Sequence, residues 1–267
     1  RIQDLKLSLD AAQAWLDEHP ATDIDGVAAF EAECDRLRAE QPLIEDNSVD
    51  VIVSNCVLNL VSTEKKKQLF NEMFRVLRKG GRCVISDIVC DEPPTERIMK
   101  DAKLWSGCIS GAFLEEEFLQ MFADAGFHGI EVLKFESEPW HTIDGIEFRS
   151  MTVRAYKGKQ GPCKERKQAV MYKGPWSRIN DDDGHVFARG ARVAVCDKTF
   201  KILTDPNGPY AGQFEAIEPL EEVPLEDAEP FNCKRTVKRS PRETKGEDYD
   251  VTVEASAEQC CGPEGCC

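Results

Sequence analysis

Glycine is nearly missing from the front of this chain, where Gly26 is the only one before Gly80. A loop that closes its backbone around a nucleotide needs glycines for the close approach and bare N–H groups as donors. Residues 1–45 hold no such cradle. Also missing is any apolar run near the roughly 20 residues that span a bilayer, and no secretory leader is visible. No membrane role is therefore expected, and the expected location is the cytoplasm. Histidine is scarce, with 4 in 267 residues. No convincing histidine–carboxylate pair is found, and His141 and His185, in polar turn-like stretches, are read as surface residues. Positive charge is short as well. Against 49 acidic side chains stand 34 basic ones, a net charge of −15, and that field repels nucleic acid. The one marked basic cluster, Lys234 to Arg239, is read as part of a solvated tail.

Cysteine, by contrast, is abundant. Twelve occur in 267 residues, and four of them, Cys260, Cys261, Cys266 and Cys267, fall in the last eight positions. That spacing does not resemble a disulfide framework. It fits thiols kept reduced for a metal or metalloid. Cys83 and Cys90, around the apolar strand Arg82–Ile88, are read as core residues, as is Cys34, which recurs with Val27, Phe30 and Leu37 at helical spacing.

Helices are expected over 10–19 and 25–40, followed by a strand over 49–54. Val49-Asp50-Val51-Ile52-Val53 is continuous and β-branched, as in a parallel strand covered on both faces. A helix from Thr63 to Arg78 presents Leu69, Phe70, Met73, Phe74 and Leu77, and Lys79-Gly80-Gly81 stops it. The strand 82–88 follows, giving the strand–helix–strand unit of a doubly wound sheet. Pro93-Pro94 opens a helix that ends near Trp105, Glu115 begins another, and strands near 129–136 and 146–156 close the sheet. Residues 168–203 read as short strands with turns, Asp181-Asp182-Asp183-Gly184 forming a hairpin turn rather than a calcium loop. From Pro219 onward the composition is that of a poorly ordered tail.

In such a sheet ligands sit beyond the carboxyl ends of the strands, and Cys56 stands there, in Ser54-Asn55-Cys56-Val57-Leu58-Asn59-Leu60. A second thiol, Cys108, lies in Gly107-Cys108-Ile109-Ser110-Gly111-Ala112, where small residues permit close approach of a covering loop. Soft thiophilic ions select thiolates, and these are expected to have a lowered pKa or to be titrated by the metalloid itself. These two phrases, over residues 43–157, resemble the arsenite S-adenosylmethionine methyltransferases.

The resemblance implies a partial class I, Rossmann-like methyltransferase sheet over 1–158, a small β-rich unit over 159–218 and an acidic Cys-rich tail over 219–267. It also implies that Cys56 and Cys108 hold arsenite, whose lone pair attacks the methyl carbon of S-adenosylmethionine in line with the departing sulfur, for arsenic detoxification. Ile2 and Gln3, with Ser54 and Asn55, are the cofactor candidates it suggests. Arsenite or its thiol conjugates and a small-thiol or thioredoxin-type reductant are the partners. Because the family begins with a strand and glycine loop that this chain lacks, the chain is expected to be a fragment, inactive alone. Cys163, Cys196 and Cys233 are auxiliary thiols, and the terminal pairs are a thiol relay or a metal-binding appendage. Two other readings compete, a methyltransferase for another small acceptor and a non-catalytic arsenic- or metal-sequestering protein.

Overall fold

The computed structural model describes residues 2–253. Arg1 and the four terminal cysteines, Cys260, Cys261, Cys266 and Cys267, lie outside the described residues. The chain divides into two compact units at Gly161 and Pro162.

In the first unit α1 (Leu9–Glu18) and α2 (Ile24–Glu40) precede β1 (Val49–Asn55), α3 (Thr63–Val76) and β2 (Leu77–Cys90). Two short helices, α4 (Glu96–Lys100) and α5 (Ala102–Ser106), then lead to β3 (Phe113–Leu114), α6 (Glu115–Ala125), β4 (His128–Phe135), β5 (His141–Ile143) and β6 (Ile146–Tyr156). The helix starts follow from their caps: Ser8 accepts from the amide of Ala11, and Asp23 from that of Gly26. Three glutamates sit in the first turn of α6, where the helix dipole favours them, and Gly126 at φ 96° ends it. The single helix expected up to Trp105 is two, because the Asp101 carboxylate caps the amides of Lys103 and Leu104 and restarts the helix there. The expected glycine stop after α3 is instead the opening of β2, which begins at Leu77.

Sheet order is β1-β2-β6-β4, with β1 parallel to β2 and the β6 pairings antiparallel. Alternation along β2 divides the apolar side chains. Cys83, Ile85 and Val89 join Phe70, Phe118, Phe122 and Met151 in the main core, against α3 and α6. Ile88 and Cys90 instead pack with Ile98, Cys108, Ile109 and Phe148 on the opposite face. The expectation that β1 is covered on both faces is corrected. β1 is the end strand of this sheet, and Val53 is 74% exposed. Its β-branched run reports strand propensity, and nothing among the described residues pairs its outer edge or covers Val53.

The second unit holds β7 (Ala169–Tyr172), β8 (Arg178–Asn180), β9 (Val186–Ala188), β10 (Arg192–Ala194), α7 (Asp197–Thr204), β11 (Phe214–Ile217), β12 (Val237–Lys238) and α8 (Pro241–Lys245). The strands β11-β7-β10-β12 form an antiparallel sheet and β8-β9 a hairpin. Val170, Tyr172, Phe187, Val193 and Phe200 make its core. Three expectations change here. Residues 197–204 are helical. His185 is buried, because the Asp181 carboxylate takes its Nδ1 at 2.7 Å and its backbone amide at 2.8 Å. Arg239, read from sequence as solvated, is also buried, paired with Glu165 and Glu243, so part of the expected tail is built into this unit. No helix among the described residues is long and apolar enough to cross a membrane.

Phe70 is fully buried and meets Phe122 edge-on at 4.8 Å and Phe113 at 6.0 Å. Phe70→Ala leaves a cavity that these neighbours cannot fill, and it should cost about 3–5 kcal/mol. Urea denaturation followed by fluorescence checks this, and a loss under about 1 kcal/mol would mean the core collapses freely around the site.

Candidate functional site

β1 delivers Cys56 directly after Asn55. The Cys56 amide still donates to the Ser86 carbonyl at 2.9 Å, so the ladder to β2 continues through it. Its φ is then +53°, and the chain turns sharply into a single 3-10 turn, Leu58–Leu60. Cys108, in the loop after α5, has φ +62°. Of the five non-glycine residues with positive φ among the described residues, the others are Asn47, Asp144 and Lys167. Asn and Asp tolerate this region; a cysteine held there costs roughly 1–3 kcal/mol and persists only where its surroundings enforce it.

Two buried polar side chains enforce it. Asp87, fully buried on β2, accepts from the amides of Leu58 at 2.8 Å, Asn59 at 3.4 Å and its own successor Ile88 at 2.9 Å. Asn59, also fully buried, donates its amide group to the carbonyls of Ile88 at 2.7 Å and Cys108 at 3.0 Å. The Cys108 thiol donates to the Cys56 carbonyl at 3.2 Å, so the two loops are joined at the cysteines themselves. Gly111 permits the contact, since a Cβ there would lie 2.0 Å from the Asn59 carbonyl oxygen. Lys66, buried with its ammonium 3.6 Å from the Phe113 ring centre, donates to the Gly111 carbonyl and holds the far end of that loop. Burial pulls its pKa down to about 8.

Both thiols line one cavity of about 560 Å³, together with Ile88, Ser106, Gly107, Glu136, Glu138, Trp140 and Ser150. Cys56 is exposed, and Cys108 is buried. Their pKa values are raised, first by burial and then by the Asp87 charge, with the Cys56 thiol adding to the effect on Cys108. The expectation of lowered values is corrected. Among the described residues no cation is a cause of shift at either sulfur, so nothing there offsets the rise. The sequence therefore locates the two cysteines but not the pieces that set them. Asp87, Asn59, Lys66, Glu136, Glu138 and Trp140 were not singled out, although Asp87 is a lone carboxylate in the apolar run Val84–Cys90, an ill-placed charge that marks a structural task.

Elsewhere, Ile2 and Ser54 line a separate cavity of about 340 Å³ with Leu5, Ile44, Val53 and Val57, while Gln3 and Asn55 are not part of its wall. Cys83 and Cys90 are fully buried, their pKa values pushed up to about 12 by burial, and Cys34 is likewise core. Cys163, Cys196 and Cys233 all belong to the second unit.

Comparison with known proteins adds the following. A methyltransferase domain matches residues 25–126, and a domain of unknown function (DUF8838) matches 159–249. The human arsenite methyltransferase is 32% identical over 192 residues, covering 67% of this chain and 49% of that protein. The arsenite methyltransferase of Aquipseudomonas alcaligenes is 29% identical over 189 residues, covering 64% of this chain and 54% of its own. A solved arsenic(III) S-adenosylmethionine methyltransferase from Chlamydomonas reinhardtii superposes with TM-score 0.43 at 23% identity, over 73% of this chain and 66% of that one. The chain thus spans about half the length of these two sequence relatives.

Burial raises the Asp87 pKa against the three amide donors that favour its charge. A folded state that holds this proton more tightly than the unfolded chain gains stability below the unfolded pKa near 3.9, and that gain is lost as pH rises through the folded value. The unfolding free energy of wild type minus that of Asp87→Asn should therefore fall from acid toward neutral pH. Denaturation of both proteins across a pH series checks it, and a difference that grows with pH would show that the amide bonds outweigh burial.

Proposed function

Since its first unit belongs to the arsenite methyltransferase family, we propose that this chain holds trivalent arsenic on Cys56 and Cys108 for methylation, with S-adenosylmethionine as the methyl donor. The observation that carries the reading is the pair of left-handed cysteines, hydrogen-bonded to one another's loops and lining one cavity. A cysteine used only as a small core residue needs neither backbone strain nor solvent access. The raised thiol pKa values suit this substrate. Arsenous acid carries three hydroxyl groups, and each thiol that condenses with it forms an As–S bond and releases one water. The proton on sulfur leaves in that water, so no prior thiolate is required.

The cofactor, when bound, supplies an electrophilic methyl group. Toward it the described residues offer one apolar wall, around Ile2 and Ser54. They include no glycine-rich loop before β1, so they do not by themselves complete a cofactor cradle. The work of this chain is on the acceptor side. Two fixed sulfurs orient the metalloid and leave its lone pair directed by the geometry of the As–S bonds. Glu136, Glu138 and Trp140 are part of the same lining. Arsenic or its thiol conjugates as the substrate, a thiol-type reductant as the partner, a cytoplasmic setting and a detoxifying role complete the reading.

Made in the complete protein, Cys56→Ser and Cys108→Ser should each lower methylation of arsenite on the order of a hundredfold or more, because a displaced acceptor atom loses the aligned geometry. Single-turnover assays, with circular dichroism to confirm the fold, check this. Near wild-type turnover in either variant would sink the two-thiol site.

A pH series separates this chemistry from ordinary metal binding. Condensation of neutral thiols with arsenous acid releases no net proton, so arsenite affinity should be flat across the neutral range. Cd(II) held as a dithiolate releases two protons, so its affinity should rise on the order of a hundredfold per pH unit while both thiols are protonated. Parallel titrations measure both. Arsenite affinity that falls as pH rises through the neutral range would show that the free site already holds thiolates, because their condensation with arsenous acid takes up protons.

A further inference from the structure

The second unit gathers three thiols that the sequence separates widely. Cys163 lies before β7, Cys196 caps α7, and Cys233 lies four residues before β12. Their sulfur atoms all fall within 4.8 Å of one another. Main-chain bonds that do not involve sulfur hold the three segments together. The Phe231 amide donates to the Cys163 carbonyl at 2.9 Å, and the Asp197 amide to the Lys164 carbonyl at 2.9 Å. The Lys164 ammonium donates to the Ala228 carbonyl at 2.7 Å, and Arg166 pairs with Asp197 at 2.9 Å.

Packing alone does not account for this cluster. Only Cys196 is fully buried, while Cys163 and Cys233 are half-buried and give an ion a path inward. The Cys196 sulfur accepts from the Thr199 amide at 3.5 Å and lies 3.3 Å from its hydroxyl, at the start of the eight-residue helix α7. Burial works against its thiolate, but the Thr199 donors and the neighbouring thiols bring its pKa below the ordinary value. Burial and the Cys163 contact push Cys233 the other way.

We propose that Cys163, Cys196 and Cys233 form a second thiophilic site, distinct from the Cys56–Cys108 pair, that binds one soft ion on three thiolates. Three sulfurs and no carboxylate select a soft or borderline ion over calcium or magnesium. Zn(II), which takes four ligands in structural sites, would need a donor beyond the three sulfurs. Trivalent arsenic, satisfied by three sulfurs, would not.

The test uses the full chain with Cys56, Cys108 and the four terminal cysteines replaced by serine, kept reduced. Titration with Cd(II), read by the thiolate-to-metal charge-transfer band, should give one equivalent bound. Cys163→Ala, Cys196→Ser and Cys233→Ser should each weaken it at least tenfold, with circular dichroism showing the fold retained. Competition of Zn(II) and of arsenite against bound Cd(II) then distinguishes the two sources. No stoichiometric Cd(II) band, or one that survives Cys163→Ala with the fold intact, would overturn the site.

Discussion

Everything at the candidate site depends on one buried carboxylate. Asp87 stands inside an apolar strand, where a charge is costly unless its oxygens are taken up. They are taken up by the amides at the start of the turn that follows Cys56 and by that of Ile88. Those amides would otherwise be orphaned donors. The pairing therefore solves two desolvation problems at once and fixes the exit of β1 relative to β2. Asn59, placed by the same turn, reaches the Cys108 carbonyl. A second loop, far off in sequence, is thereby set against the first, and the strain at both cysteines is carried by these bonds together with that of the Cys108 thiol to the Cys56 carbonyl.

The arrangement also accounts for the chemical state of the thiols. The carboxylate that positions the turn is a negative charge near both sulfurs, and burial adds to its effect, so the thiol form is favoured. A site for a divalent cation would gain from the opposite tuning. A site for an uncharged hydroxide of a thiophilic element loses nothing by it. The residue that positions the turn thus also bears on the two sulfurs.

Much of this frame could be read from the residues. The apolar spacing of Leu69, Phe70 and Met73 places α3 on the sheet, and alternation through Cys83, Ile85 and Val89 places β2 beneath it. Cys56 and Cys108 stand out because each sits in a polar, small-residue context next to an apolar element. What resists reading is anything set by a partner remote in sequence. His185 and Arg239 look solvated because their own neighbours are polar, yet Asp181 and Glu165 bury them. Val51 and Val53 look buried because β-branched runs usually are, yet β1 is an end strand. Left-handed backbone at a cysteine has no sequence signal, since the residue neither prefers nor announces it.

The two groups of cysteines show how far local context decides what a thiol can do. Cys83 and Cys90 are surrounded by carbon, and burial leaves them neutral and inert. Cys56 and Cys108 are also pushed up, yet both line a cavity. At Cys196 the sulfur meets donors at a helix start and two more sulfurs, and there the pKa is lowered. The same atom thus shifts one way or the other according to what faces it: carbon, a carboxylate, or amide and hydroxyl donors. A count of cysteines carries none of that distinction; their partners do.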